Sequence, residues 1–71
     1  MGRSEKVLNI RELRERLGMT QIEFAKAVSV SQGAVSQWEL GLTHPGFRAV
    51  MAIAKLTGLT VEELAGEGRS A

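Results

Sequence analysis

The chain has 71 residues, 44% of them hydrophobic and 24% charged, with one histidine, one proline and no cysteine. These values exclude disulfide staples, thiolate metal sites and a disordered chain, and no run approaches the roughly 18 consecutive apolar residues of a membrane span. A chain of this size buries only about 60% of the surface it exposes when unfolded, so one domain of short elements is expected. Met1 to Lys6 is polar and no long apolar run follows it, which gives no signal peptide and points to a cytoplasmic protein.

Residues 1–8 are expected to form an N-terminal arm. Asn9 then stands where a helix cap belongs, with Glu12 three residues on and Leu8 and Leu13 placed as a hydrophobic staple, so a first helix is predicted over about 10–17. Gly18 stops it, and Thr20 with Glu23 forms the capping-box signature of a second helix over about 21–28, stapled by Met19 and Phe24. Ser31 caps a third helix, about 32–40, with Val30 and Val35 as its staple and Gly41 as its stop. The loop Leu42 to Gly46, broken by Pro45, leads to a fourth helix over about 47–57. Gly58, Thr60 and Glu63 repeat the stop-and-start pattern for a fifth helix over about 61–65, and residues 66–71 are expected to be a flexible tail.

Apolar spacing agrees with each element. Ile10, Leu13 and Leu17 share one face, as do Phe24, Ala25 and Val28, then Val35 and Trp38, then Val50, Ile53 and Ala54. No segment alternates with period two, so the fold class is all-α, with Trp38 in the core and no strand.

The third helix start is chemically unlike the others. Its N3 position holds Ala34 where the starts capped by Asn9, Thr20 and Thr60 hold glutamate, and its first turn, Gln32-Gly33-Ala34-Val35, carries no charge. Acidic residues there would suit the helix dipole, so their omission fits a helix end that approaches phosphates or base edges. On the helical wheel Gln32, Gly33, Ser36 and Gln37 lie opposite Val35 and Trp38. Glutamine can pair bidentately with adenine N6 and N7, serine can serve several bases, and a glycine permits close approach. The same face read more blandly is a solvated polar surface.

The order and spacing of these pieces resemble the Cro/CI-type phage-repressor family, also called the XRE family. The resemblance runs from about Asn9 to Leu64: Ile10-Arg11-Glu12-Leu13-Arg14, Leu17-Gly18-Met19-Thr20-Gln21, Phe24-Ala25, Val30-Ser31-Gln32, Val35-Ser36-Gln37-Trp38-Glu39, Gly41, Pro45, Ile53-Ala54-Lys55, Gly58 and Val61-Glu62-Glu63-Leu64. It implies a compact five-helix, lambda-repressor-like domain over residues 9–65 that binds double-stranded DNA as a transcriptional regulator, expected to be a repressor. By the same resemblance Gln32, Gly33, Ser36 and Gln37 would read bases in the major groove. Gln21 would hold a phosphate and brace Gln32, while Ser31, Thr43 and His44 would lie along the DNA backbone. Arg14 and Glu39 would form a largely buried ion pair. Three departures stand out: Ser29 replaces the usual turn glycine, which suggests a slightly remodelled turn, Leu40 replaces a polar residue, and the order Leu56-Thr57 is inverted, which leaves Leu56 partly exposed.

Charge is unevenly spread. Residues 20–40 hold one cation against two anions, whereas residues 1–19 hold five against three and residues 41–58 hold two cations alone. Anchoring on DNA is therefore expected from Arg11, Arg16, Arg48 and Lys55. One domain makes few such contacts, so a homodimer on a two-fold operator is expected, with Leu56, Leu59 and Val61, beside Ala49 and Ala52, as interface candidates.

Catalysis is not expected. Glu62 and Glu63 are adjacent and do not face each other on a helix, and His44 has no partner at a nucleophile or metal spacing. No cofactor, metal or small-molecule ligand is indicated. The competing function is that of an antitoxin or protein-interaction module of a toxin-antitoxin system, which the short tail disfavours because wrapping a toxin needs a longer segment.

Overall fold

The computed structural model describes residues 9–66, so the expected arm and residues 67–71 of the expected tail lie outside it. Five α-helices follow one another: α1 Ile10–Arg16, α2 Gln21–Val28, α3 Gln32–Leu40, α4 Phe47–Thr57 and α5 Val61–Gly66. No strand occurs among the described residues. Two boundaries differ from expectation: Leu17 is the cap of α1, its last turn tightened by bonds back to Leu13, Arg14 and Glu15, and Gly66 still belongs to α5.

Most of the helix starts are as chemically explicit as their sequence suggests. Thr20 and Glu23 exchange both bonds of the capping box, at 3.1 and 2.9 Å, and Thr60 and Glu63 do the same at 2.9 and 2.8 Å. Ser31 accepts from the Ala34 N–H at 3.1 Å and receives no return bond, because Ala34 has none to give. Asn9 departs from expectation. It accepts from the Glu12 N–H at 3.0 Å, but the Glu12 carboxylate binds Arg16 one turn ahead, at 3.3 Å, so only half of the box forms.

The core consists of Ile10, Phe24, Ala25, Val28, Val35, Ile53 and Leu64, at least one from each helix. Leu13, Met19, Val30, Trp38, Val50, Ala52, Ala54, Leu56 and Leu59 pack around it. Helix α2 is the hub, touching α3 and α4, while α1 packs on α3 and α5 on α4. Trp38 is thus a core-edge residue whose burial fixes the roll of α3. That roll decides which side of α3 is left facing outward.

The turn between α2 and α3 carries the strain that the sequence departure suggested, without being remodelled. Ser29 adopts the left-handed conformation, φ 62° and ψ 45°, and the Val30 N–H still closes α2 by bonding to the Ala25 carbonyl at 2.9 Å. A left-handed backbone costs a residue with a Cβ about 1–2 kcal/mol, of which glycine's larger unfolded-state entropy would cancel part. We expect Ser29→Gly to stabilise the domain by about 0.5–1 kcal/mol, read as an increased urea midpoint at unchanged slope; a lower midpoint would show that the serine side chain contributes more than its strain costs.

Candidate nucleic-acid interface

The short connection Ser29-Val30-Ser31 sets α3 across α2, and the burial of Val35 against Phe24 and Val28 holds it there. Gln32, Gly33 and Gln37 are left exposed and Ser36 half-buried, so Ser36 is less outward than the helical wheel implied. Gly33 has open space around it: a Cβ there would meet only the Ser31 Oγ, at 3.8 Å. Nothing among the described residues requires a glycine at that position. Among the described residues, the first turn of α3 contains no acid.

Beneath the exposed end of α3 lies a continuous polar network. Arg14 donates from Nε to Glu39 Oε2 at 2.6 Å and from its terminal nitrogen Nη2 to Oε1 at 3.1 Å, a bidentate pair between α1 and the end of α3. Its third donor binds the Met19 carbonyl at 3.0 Å, tying the α1–α2 connection to the same point. Both side chains are largely withdrawn from water, with 14% and 6% of their surfaces exposed. The guanidinium holds the Glu39 carboxyl below the usual carboxylate range, through its hydrogen bonds first, assisted by Gln21 and by the charges of Arg14 and Arg11, against the opposing effect of burial. The same bonds raise the Arg14 pKa.

The network continues outward. Gln21, the first residue of α2, donates from Nε2 to Glu39 Oε1 at 3.1 Å, and Gln32 donates from Nε2 to Gln21 Oε1 at 3.2 Å. A largely enclosed arginine is thereby linked through Glu39 and Gln21 to Gln32 at the exposed tip of α3. The N–H of Gln21, at the start of its helix, has no intrahelical acceptor and is free for a ligand atom.

The cations are distributed around this tip with different partners. Arg11 is exposed and its Nε lies 3.8 Å from Glu39, and Arg16 is paired with Glu12 at 3.3 Å, so both expected anchors on α1 already face carboxylates. Arg48 and Lys55 have no carboxylate partner among the described residues and flank a groove floored by Val28, Val30, Ala49 and Ala52. Thr43 and His44 are exposed in the loop after α3, and Ser31 is exposed at its start.

The expected interface residues are distributed differently from the sequence reading. Leu56 and Leu59 are half-buried against the core, Ala49 is buried, and Val61 is 37% exposed. Larger apolar side chains stand in the open nearby: Leu40 at 70%, Leu42 at 68% and Phe47 at 73% exposed, with Met51 one turn beyond Phe47 on the same face of α4. Composition and periodicity gave no warning of these, because an apolar residue at a helix end reads as core until the neighbouring element is placed.

A family model described as helix-turn-helix matches residues 10–64. The chain belongs to the Cro/CI-type helix-turn-helix family. Among proteins similar to this family member is an HTH-type transcriptional activator, BcrR of Enterococcus faecalis, 33% identical over 55 residues that make up 78% of this chain and 27% of BcrR. An HTH-type transcriptional regulator of Archaeoglobus fulgidus is 38% identical over 55 residues, covering 78% of this chain and 79% of that protein. Of solved structures, the P22 c2 repressor in complex with a synthetic operator superposes with a TM-score of 0.70 at 34% identity, over 78% of this chain and 83% of that one. The solution structure of the P22 c2 DNA-binding domain gives 0.72 at 31% identity, over 89% and 84%. The chain thus spans about a quarter of BcrR and most of the other three.

For this family member the Arg14–Glu39 pair predicts a large mutational effect. Removing one partner of a buried ion pair strands the other at a cost of roughly 3–5 kcal/mol. Arg14→Ala is expected to lower the melting temperature by about 12 °C or more, given roughly 4–8 °C per kcal/mol for a domain of this size; an unchanged melting curve would remove the pair from the account of stability.

Proposed function

We propose that this helix-turn-helix regulator is a repressor that reads double-stranded DNA with α3 in the major groove, as a homodimer on a two-fold operator. The observation that carries the reading is the exposed tip of α3: an uncharged first turn, a glycine with open space around it, and Gln32 held by Gln21 at 3.2 Å. In this reading Gln32, Gly33, Ser36 and Gln37 face base edges. Gln21, through its side chain and free N–H, holds a phosphate, and Ser31, Thr43, His44 and Arg48 follow the backbone. Arg11 and Arg16 contribute once DNA draws them from Glu39 and Glu12, and their exposure makes those pairs weak. The likeness to the P22 c2 repressor in complex with a synthetic operator, 34% identical with a TM-score of 0.70, is what suggests a repressor.

Two copies are needed because a single domain with so few free cations gains little from counterion release. The partner surface is drawn from Val61 and from the exposed apolar residues of the α3–α4 connection and α4, with Leu56 and Leu59 supporting from behind. A two-fold site then places half-sites about 34–36 Å apart. Sedimentation of the chain with operator duplex should give two copies per duplex, and a single copy at saturation would overturn the dimer.

The base-reading assignment is tested by selecting bound sites from random duplex DNA. We expect a palindrome with adenine in each half-site, one position of which loses its preference in Gln32→Ala; no enrichment above input would reject sequence-specific reading by α3.

A further inference from the structure

The chain of side chains from Arg14 to Gln32 has a direction that chemistry alone dictates. A guanidinium only donates and an ionised carboxylate only accepts. Glu39 takes Arg14 on both oxygens, at 2.6 and 3.1 Å, so whatever else binds Oε1 must donate. Gln21 meets it with Nε2 at 3.1 Å, which turns the Gln21 carbonyl oxygen toward α3. That oxygen accepts from Gln32 Nε2 at 3.2 Å. Gln32 is left with one free N–H and a free carbonyl oxygen pointing outward.

One donor beside one acceptor is the pattern that complements adenine, which offers N7 as acceptor and N6–H as donor in the major groove. Guanine offers two acceptors, N7 and O6, and calls for two donors. A glutamine free to turn its amide over can present either its oxygen or both N–H groups. Here the second N–H is committed to Gln21, and Gln21 cannot turn over without aiming its own oxygen at the Glu39 carboxylate.

We propose that Glu39, held by Arg14, is a specificity-determining positioning residue that sets the amide polarity of Gln21 and Gln32 and thereby makes Gln32 select adenine over guanine. This rests on the reading of Gln32 as a base-contacting residue. Glu39 touches no DNA in this scheme; its effect on sequence choice travels through two amides. The pair with Arg14 therefore has a role separate from holding α1 on α3.

Reversing the terminal group should reverse the chain. In Glu39→Gln the new side chain keeps its oxygen toward Arg14 Nε, a pure donor, and offers its N–H₂ to Gln21, giving up the bond from Arg14 Nη2. Gln21 then turns its oxygen inward and its N–H₂ outward, and Gln32 presents oxygen to Gln21 and both N–H groups to the groove. Gln21→Met interrupts the chain while leaving the Arg14–Glu39 pair intact. It also removes a phosphate contact, but that loss is equal for every sequence and cancels in a ratio of dissociation constants.

The test measures that ratio with A·T or G·C at the position whose preference depends on Gln32, identified by site selection with the unmodified chain and Gln32→Ala. Folding of each variant is checked by circular dichroism. The unmodified chain is expected to favour adenine about tenfold or more, from the usual discrimination of a bidentate pair. Gln21→Met should bring the ratio toward unity, and Glu39→Gln should carry it toward guanine. Unchanged ratios in both variants overturn the proposal; if Glu39→Gln does not fold, an unchanged ratio in Gln21→Met alone overturns it. A Gln32→Ala variant that alters no position's preference instead defeats the base-reading assignment, and the polarity scheme with it.

Discussion

The structure depends on one largely enclosed ion pair. Arg14 and Glu39 lie far apart in sequence, on α1 and at the end of α3, and their bidentate contact together with the Met19 carbonyl bond brings α1, the α1–α2 connection and α3 to a common point. Such a pair adds little net stability, because removing two charges from water offsets their attraction. What it supplies is orientation. A hydrophobic contact of the same size would tolerate rotation of α3, whereas two parallel hydrogen bonds to a planar guanidinium do not.

Orientation matters here because the helix it holds is short, and the ion pair adds a directional constraint to the roll that Trp38 sets by its burial. Helix α3 buries Val35 fully and Trp38 partly and packs most extensively on α2. Its exposed tip is then reached from below by Gln21 and Glu39 rather than by packing. The support is polar, and the side chains of Arg14, Glu39, Gln21 and Gln32 are already bonded to one another beneath the tip. No buried side-chain nitrogen or oxygen among the described residues lacks a partner.

Helix α4 carries both charge and apolar surface. The helix-turn-helix segment itself is slightly acidic, while Arg48 and Lys55 of α4, with no carboxylate partner among the described residues, border the groove beside the α2–α3 turn. Exposed apolar side chains include Leu40, Leu42 and Phe47, from the end of α3 to the start of α4. A single domain with this layout has an uncharged polar tip, two unpaired cations beside a groove and an apolar margin. Each is too small to act alone, which is the physical ground for expecting a second copy.

The helices were legible from the sequence because their signals are local. Thr20 with Glu23 and Thr60 with Glu63 specify capping boxes through bonds spanning three residues, and Gly18, Gly41 and Gly58 take up the left-handed backbone that a side chain resists. Asn9 shows the limit of such signals, since a competing cation one turn ahead, Arg16, took the carboxylate that would have completed its box. The uncharged first turn of α3 was equally visible, as was its outward face, because both follow from helical period alone. What the sequence by itself determined was therefore the set of helices and the chemistry of each face. Only the tertiary structure decided that Leu56 and Leu59 would lie against the core while Leu40, Leu42 and Phe47 stand exposed, since burial depends on which element arrives at a given face. The Arg14–Glu39 pair and the Gln21–Gln32 brace were expected from the family resemblance, but only the tertiary structure supplied the Gln21–Glu39 bond that joins them into one directed chain, because a hydrogen bond between residues 18 positions apart is set by how helices cross and leaves no mark in local spacing.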